Sequence, residues 1–190
     1  MSVPFPEGKF GAMLWDPPWR FRTWSETNQR KSASKHYALM MLEEIKALPV
    51  SDLALPDCVL FLWVIAPMFP QAHEVIVDWG FEYKTVAFVW DKGRMGLGYW
   101  TRHETEQCWL ATRGQPRRRP GATSVRQKIT EKPREHSRKP DCVHDRIEAL
   151  VTGPYLEGFA RGPWPGWTVW GDECGKFADP QQALALGEDH

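Results

Sequence analysis

Apolar residues along this chain fall into short blocks whose spacing alternates between that of buried strands and that of amphipathic helices. "FGAMLW" (10–15) is a compact apolar run that predicts a strand, and "LMMLEEIKALPV" (39–50) has near-helical spacing that ends before Pro49. The continuous run "CVLFLWVI" (58–65) predicts a strand covered on both faces, as in a parallel sheet. "APMFPQAHEVIVDWG" (66–80) follows as a helix with a glycine stop, and "YKTVAFVW" (83–90) as a β-branched, aromatic strand. Strand, helix and strand in this order predict an α/β sheet with crossover helices.

The second half continues the pattern. "TEQCWLATRG" (105–114) reads as a strand and "SVRQKI" (124–129) as an edge strand. "SRKPDCVHDRIEALV" (137–151) reads as a helix opened near Pro140, with Val143, Ile147, Leu150 and Val151 on one face. "GPYLEGFARG" (153–162) and "GWTVWGDE" (166–173) finish the sheet. Between these blocks lie aperiodic segments. Residues 20–36 form a long polar, basic loop, and "DKGRMGLGYW" (91–100) is a glycine-rich loop without the G-x-G-x-x-G spacing of a dinucleotide fingerprint. "QPRRRPGATS" (115–124) is a basic loop expected to order only on binding, and residues 174–190 are expected to be loosely held.

With 190 residues, 42% of them hydrophobic, the chain is the size of one domain and able to bury a core without staples. No apolar run has the length of a membrane span, and the opening "MSVPFPEGKF" lacks the regions of a signal peptide, so a soluble, cytoplasmic protein is expected. Cys58, Cys108, Cys142 and Cys174 are widely spaced and form no C-x-x-C pair, which fits reduced, structural thiols.

The formal charge is zero, but it is unevenly placed. Arg113 to Lys139 holds ten Lys and Arg against two Glu, so the rest of the chain carries the opposite excess. An asymmetry of this size fits a polyanion-facing surface on an acidic body, and nucleic acid is the expected partner. Residues 20–36 and 113–136 are the mobile basic loops expected to meet it. Eleven tryptophans raise the alternative of a carbohydrate-binding surface. Trp63, Trp90, Trp109 and Trp170 fall inside predicted strands, where core packing is expected, and Trp15 also fits the core. Trp19, Trp24, Trp100, Trp164 and Trp167 fall at loops as functional candidates.

The candidate chemistry begins where the first strand stops. In "DPPW", Pro17 and Pro18 supply no N–H and fix φ, so the chain leaves the sheet at Asp16 and stays rigid across Trp19. Ligands of open parallel sheets gather at the carboxyl ends of the strands. Asp16 and Trp19 belong there, with Glu157, Phe159 and Arg161 after the penultimate strand and Asp172 and Glu173 after the last. Ser137 and Lys139 stand at a helix start. A carboxylate beside a rigid aromatic fits the holding of a planar nitrogenous base and the polarising of its amine. No triad, metal cluster or P-loop competes with it.

In order, "DPPW", "HYALM", "VLFLWV", "GYWTRHETEQCWLATRG", "REHSRKPD" and "LEGFARGPWPGWTVWGDE" resemble the adenine-N6 methyltransferase family. That family includes the catalytic subunit of the eukaryotic mRNA adenosine methyltransferase, and the likeness is greatest to compact prokaryotic and phage members. It covers about Phe10 to Glu173. The resemblance implies a Rossmann-like methyltransferase fold, a mostly parallel sheet flanked by helices, as a single domain over 1–190 that uses S-adenosyl-L-methionine. In it the catalytic strand precedes the cofactor strands.

It further implies catalytic roles for Asp16, Pro17, Pro18 and Trp19. Cofactor contacts are implied for Asp16, Lys139, Phe159, Arg161, Asp172 and Glu173, and substrate contacts for Trp19, Tyr37, Glu106, Ser137 and Lys139. Two positions depart from the family pattern: Gly158 replaces a bulky aliphatic, which predicts looser packing behind the cofactor strand, and Asp172 replaces Asn. DNA is the expected substrate, with RNA and a non-catalytic nucleic-acid-binding subunit as alternatives. A homodimer or a partner subunit is also implied.

Overall fold

The computed structural model describes residues 3–20, 39–96, 98–135 and 138–177. Seven strands, β1 (Phe10–Trp15), β2 (Ala54–Val64), β3 (Glu82–Asp91), β4 (Thr105–Arg113), β5 (Lys128–Thr130), β6 (Tyr155–Gly158) and β7 (Trp167–Trp170), form one sheet. Their order is β5-β3-β4-β2-β1-β6-β7. The helices are α1 (Leu42–Lys46), α2 (Val50–Leu53), α3 (Phe69–Asp78) after a 3-10 turn, and α4 (Cys142–Leu150). This is the α/β, Rossmann-like methyltransferase architecture that the resemblance implies; the helix expected over 39–50 is shortened to α1, α2 begins beyond Pro49, and the expected edge strand forms only from Lys128.

Strand pairing is parallel except at β4, which runs antiparallel to both β2 and β3. The first residues of β4 therefore lie at the sheet edge where the parallel strands end. Strand periodicity sorts the core into two layers. Met13, Trp15, Leu60 and Leu62 pack with Ile45, Val75, Ile76 and Trp79 from the α1 to α3 side. Leu14, Phe61 and Trp63 pack with Val143 and Ile147 of α4. β2 is buried continuously from Cys58 to Val64, as its unbroken apolar run predicts.

Three expectations change. Gly158 does not loosen the packing: it pairs with Trp15 across β1 and β6, and a Cβ there would fall 2.3–2.5 Å from the indole ring. The missing side chain at 158 is the room that Trp15 occupies. Trp167 is a core residue of β7, 8% exposed and stacked on Tyr155 at 4.9 Å, rather than a loop aromatic.

The basic stretch is also divided by the topology. β4 runs away from the site edge, so exposed Arg117, Arg118 and Arg119 lie toward the other end, where Arg119 N–H donates to Leu150 O at the end of α4. This backbone bond, with the 3.1 Å bond from Ala122 N–H to Arg119 O, joins the turn to the end of α4. Of the segment 113–136, only the part beyond β5 returns to the edge that holds Asp16. The other basic loop, 20–36, lies outside the described residues except for Arg20.

All four cysteines are free thiols, and burial pushes Cys58 up to about 12. Among the described residues no helix is long and apolar enough to cross a membrane.

Candidate active site at the carboxyl edge of the sheet

β1 ends at Trp15, and the next residue, Asp16, is tied to β6 by its own N–H, which donates to Gly158 O at 3.4 Å. The proline pair then turns the chain. Trp19 N–H donates to Pro17 O at 2.8 Å, and Met40 N–H donates to Pro18 O at 3.1 Å. The Pro17 carbonyl keeps a second lone pair for another donor. Trp19 is 5% exposed, and its indole N–H donates to Trp63 O at 3.0 Å. At that burial the ring shows no open face for the substrate contact expected of it. The ring is buried under the "DPPW" turn and braces it.

Lys139, just before α4, donates from Nζ to Asp16 Oδ2 at 2.7 Å and sits 3.5 Å from Glu106 Oε2. Its ammonium also lies 5.5 Å from the centroid of the Trp63 ring, within cation–π range. Glu106 stands near the start of β4, and Lys92 Nζ approaches its other oxygen at 3.0 Å. Two carboxylates and two ammonium groups thus form one chain, Asp16–Lys139–Glu106–Lys92.

Burial pushes the Asp16 carboxyl above its ordinary range. The Lys139 charge and hydrogen bond and the Arg161 charge work against that rise, and Glu106 adds to it. Burial acts on Glu106 in the same sense, but Lys139 and Lys92 outweigh it and hold Glu106 below the usual range.

The second half of the site comes from β6 and β7. Phe159 turns out of β6 with φ of 61°, and Gly171 leaves β7 with φ of 148°. A Cβ on Gly171 would lie 3.0 Å from Phe159 Cα, so glycine lets the two strand ends approach. Arg161 Nε is 3.4 Å from Glu173 Oε2, while Glu157 binds His144 Nε2 at 2.8 Å, so each has its own ion partner.

Two cavities flank this edge. One of about 400 Å³ is lined by Asp16, Pro17, Phe159, Arg161, Asp172 and Glu173 among others, and one of about 240 Å³ by Asp16, Trp63, Lys139, Glu157 and Trp164 among others. Asp16, Phe159 and Arg161 line both.

The MT-A70 family matches residues 10–173. The chain belongs to the MT-A70 family. It is 34% identical over 184 residues to the type II methyltransferase M.MunI of Mycoplasma sp, a match spanning 88% of this chain and 79% of that protein. It is 26% identical over 209 residues to the N(6)-adenine-specific methyltransferase METTL4 of Mus musculus, covering 93% of this chain and 40% of METTL4. Identity is 27% over 184 residues to the N6-methyladenosine RNA methyltransferase MTA1 of Cryphonectria parasitica, covering 90% and 54%. The chain thus spans about half or less of these two eukaryotic relatives.

For this MT-A70 chain the fold gathers most of the residues expected from the sequence. Asp16, Pro17, Pro18, Phe159, Arg161, Asp172 and Glu173 line one cavity, and Lys139 and Glu106 join Asp16 through charge. Tyr37 and Ser137 lie outside the described residues.

Sequence reasoning missed Lys92, whose signal was a hairpin. β3 and β4 pair with Trp90 opposite Glu106, which places Lys92 beside it. It also missed His144, stacked on Trp164 at 4.3 Å. That residue looked like one more position on an amphipathic helix.

Proposed function

We propose that this MT-A70 protein transfers the methyl group of S-adenosylmethionine to the N6 amine of adenine in DNA. The observation that carries the reading is the Asp16 carboxylate, fixed by Lys139 at 2.7 Å on a wall shared by two cavities, beside the Pro17 carbonyl.

The cofactor fits the larger cavity on three counts. Its volume of about 400 Å³ lies within the roughly 300–1,000 Å³ of small-molecule sites. The Gly171 approach clears the space where a Cβ would meet Phe159. Asp172 offers acceptors suited to ribose hydroxyls, and Phe159 an apolar wall. Asp16 would hold the ammonium end and Arg161 the ribose side. Bound there, S-adenosylmethionine supplies a sulfonium methyl that is already a strong electrophile.

The residues of the chain act on the acceptor. An exocyclic adenine amine is a poor nucleophile because its lone pair is delocalised into the ring. Asp16 and the Pro17 carbonyl accept its two hydrogens, which favours a tetrahedral nitrogen and stabilises the positive charge that develops there. Lys139 and Glu106 keep the Asp16 carboxylate in position. The amine loses its proton readily after transfer, so no strong base is required.

DNA is favoured over RNA because M.MunI shares more identity, over more of its length, than the RNA methyltransferase MTA1. A duplex adenine would be flipped out to reach the edge, at a cost of roughly a few kcal/mol. A second copy or a partner subunit that helps hold the nucleic acid belongs to the same reading.

Incubation with labelled S-adenosylmethionine and duplex DNA, single-stranded DNA or RNA, followed by digestion to nucleosides, tests this. N6-methyladenine is expected from DNA. Formation only on RNA moves the assignment to RNA, and none on any nucleic acid despite cofactor binding overturns it. Asp16→Asn is expected to lower kcat by at least about 100-fold with the fold intact. Turnover near the wild-type rate would remove Asp16 from the chemistry.

A further inference from the structure

The connection between β3 and β4 leaves and re-enters the sheet at the edge that holds Asp16, because β4 is antiparallel. Its root is fixed into the site. Lys92 binds Glu106 at 3.0 Å, and Glu106 shares Lys139 with Asp16. Its waist is closed as well: Arg102 Nε–H donates to Gly96 O at 2.7 Å, and Gly96 N–H donates to His103 O at 2.8 Å.

At the tip, Thr101 N–H donates to Tyr99 O at 2.8 Å, a three-residue turn with Trp100 at its centre and φ of 68°. A Cβ on Gly98 would fall 1.9 Å from Thr101 O, so glycine is needed for the turn to close. The product of this construction is an indole 91% exposed, with the ring of Tyr99, 59% exposed, edge-on at 6.2 Å, and Met95 68% exposed on the same connection.

A bulky aromatic in the left-handed region is an outlier, and such strain persists only where surrounding structure enforces it. Trp100 gains almost no burial in return. Beyond the Lys92–Glu106 root, residues 93–103 carry Arg94 and Arg102 and no acidic residue, so the tip is cationic with an aromatic end. That combination suits a stacked base between phosphates. A protein interface of ordinary size needs a broader surface, of about 800 Å² on each side.

We infer that Trp100 stacks on a base of the bound nucleic acid beside the adenine presented to Asp16, with Arg94 and Arg102 facing phosphates. The inference rests on the proposed substrate class and names the residue that holds it. Stacking sites of this kind tolerate any base, so Trp100 contributes affinity and flipping rather than sequence preference.

The test compares Trp100→Ala, Trp100→Phe and Trp100→Gly with wild type, using a fluorescent adenine-containing duplex for anisotropy and a 2-aminopurine probe adjacent to the target adenine. Trp100→Ala is expected to raise the duplex Kd by about 5- to 150-fold, with S-adenosylmethionine affinity unchanged and the 2-aminopurine response of the complex altered. Trp100→Phe should keep most of the affinity. Trp100→Gly should lose it while melting no lower than wild type, since glycine accepts the turn.

Equal duplex affinity for wild type and Trp100→Ala overturns the inference. So does a Trp100→Ala loss of affinity that only follows conversion of a dimer to a monomer in sedimentation, which would make the tip a contact between copies. Binding is read separately from turnover. Trp100-dependent binding without N6-methyladenine leaves stacking in place and removes the proposed reaction; wild-type methylation with no effect of Trp100→Ala on binding does the reverse.

Discussion

Gly158→Leu, which restores a bulky aliphatic beside the cofactor strand, is expected to destabilise the protein because Trp15 already fills that volume. An added Cβ would lie 2.3 Å from Trp15 Cε3, 2.4 Å from Cδ2 and 2.5 Å from Cζ3. The indole has nowhere to go. It is fully buried, with the rings of Trp79, Phe159 and Trp170 at 5.3, 5.7 and 5.7 Å. Overpacking against so constrained a group costs about 3 kcal/mol, or a fall in Tm of roughly 6–12 °C for a chain of this size. Trp15→Leu alone leaves a cavity and also costs about 3 kcal/mol.

The double substitution exchanges large for small across one register pair and is expected to cost about 3 kcal/mol rather than about 6, a coupling near the top of the range for contacting residues. Urea denaturation of the four proteins measures the cycle. Additivity within about 0.5 kcal/mol would refute the claim that Gly158 exists to seat Trp15. Because Trp15 precedes Asp16 and Gly158 precedes Phe159, cofactor affinity should fall in each single variant and recover in the double one.

Lys139→Met keeps an aliphatic stem near Trp63 but leaves Asp16 and Glu106, whose side chains are each 22% exposed, without their shared cation. It should cost about 3 kcal/mol and move the acid limb of kcat/KM to higher pH, since burial already raises the Asp16 carboxyl and Lys139 opposes that rise. An unmoved limb would show that Asp16 ionisation does not limit the rate.

For His144, burial favours the neutral ring, but the Glu157 hydrogen bond and charge outweigh it and raise its affinity for a proton. The stability it contributes is full below an unfolded value of about 6.5 and lost as pH rises through the higher folded value. His144→Gln should flatten the fall in Tm with rising pH above about 6.5. The same fall in both proteins would refute the assignment.

The strands and helices were legible because their signals are local. The unbroken run of β2 demanded cover on both faces, and the double proline after β1 could only end a strand. The "DPPW", "HSRKPD" and "EGFAR" blocks likewise led to Asp16, Lys139 and Arg161 without a structure.

What remained hidden was pairwise. Gly158 read alone is a missing side chain, and only its register with Trp15 makes it a complement. Trp19 read alone is a rigid aromatic after two prolines. It became a brace because the Trp63 carbonyl lies within reach of its indole N–H. The basic stretch read as one surface, whereas the direction of β4 sends Arg117 to Arg119 toward the opposite end from Lys139.

That reversal of β4 organises the whole edge. Had β4 run parallel to its neighbours, Glu106 would begin it at the far end, and the β3–β4 connection would need a crossover instead of a hairpin. The antiparallel hairpin brings Glu106, Lys92 and the Trp100 turn to the same edge as Asp16 on one side of β1, while Phe159, Arg161 and Asp172 arrive from β6 and β7 on the other. On the proposed reading, β1 lies between an acceptor half and a cofactor half. Changes in the β3–β4 hairpin should therefore act on the KM for nucleic acid, and changes at the ends of β6 and β7 on the KM for S-adenosylmethionine. The exceptions are Asp16 and Lys139, where the halves meet, and Phe159 and Arg161, which line both cavities; these should move both KM values together with kcat.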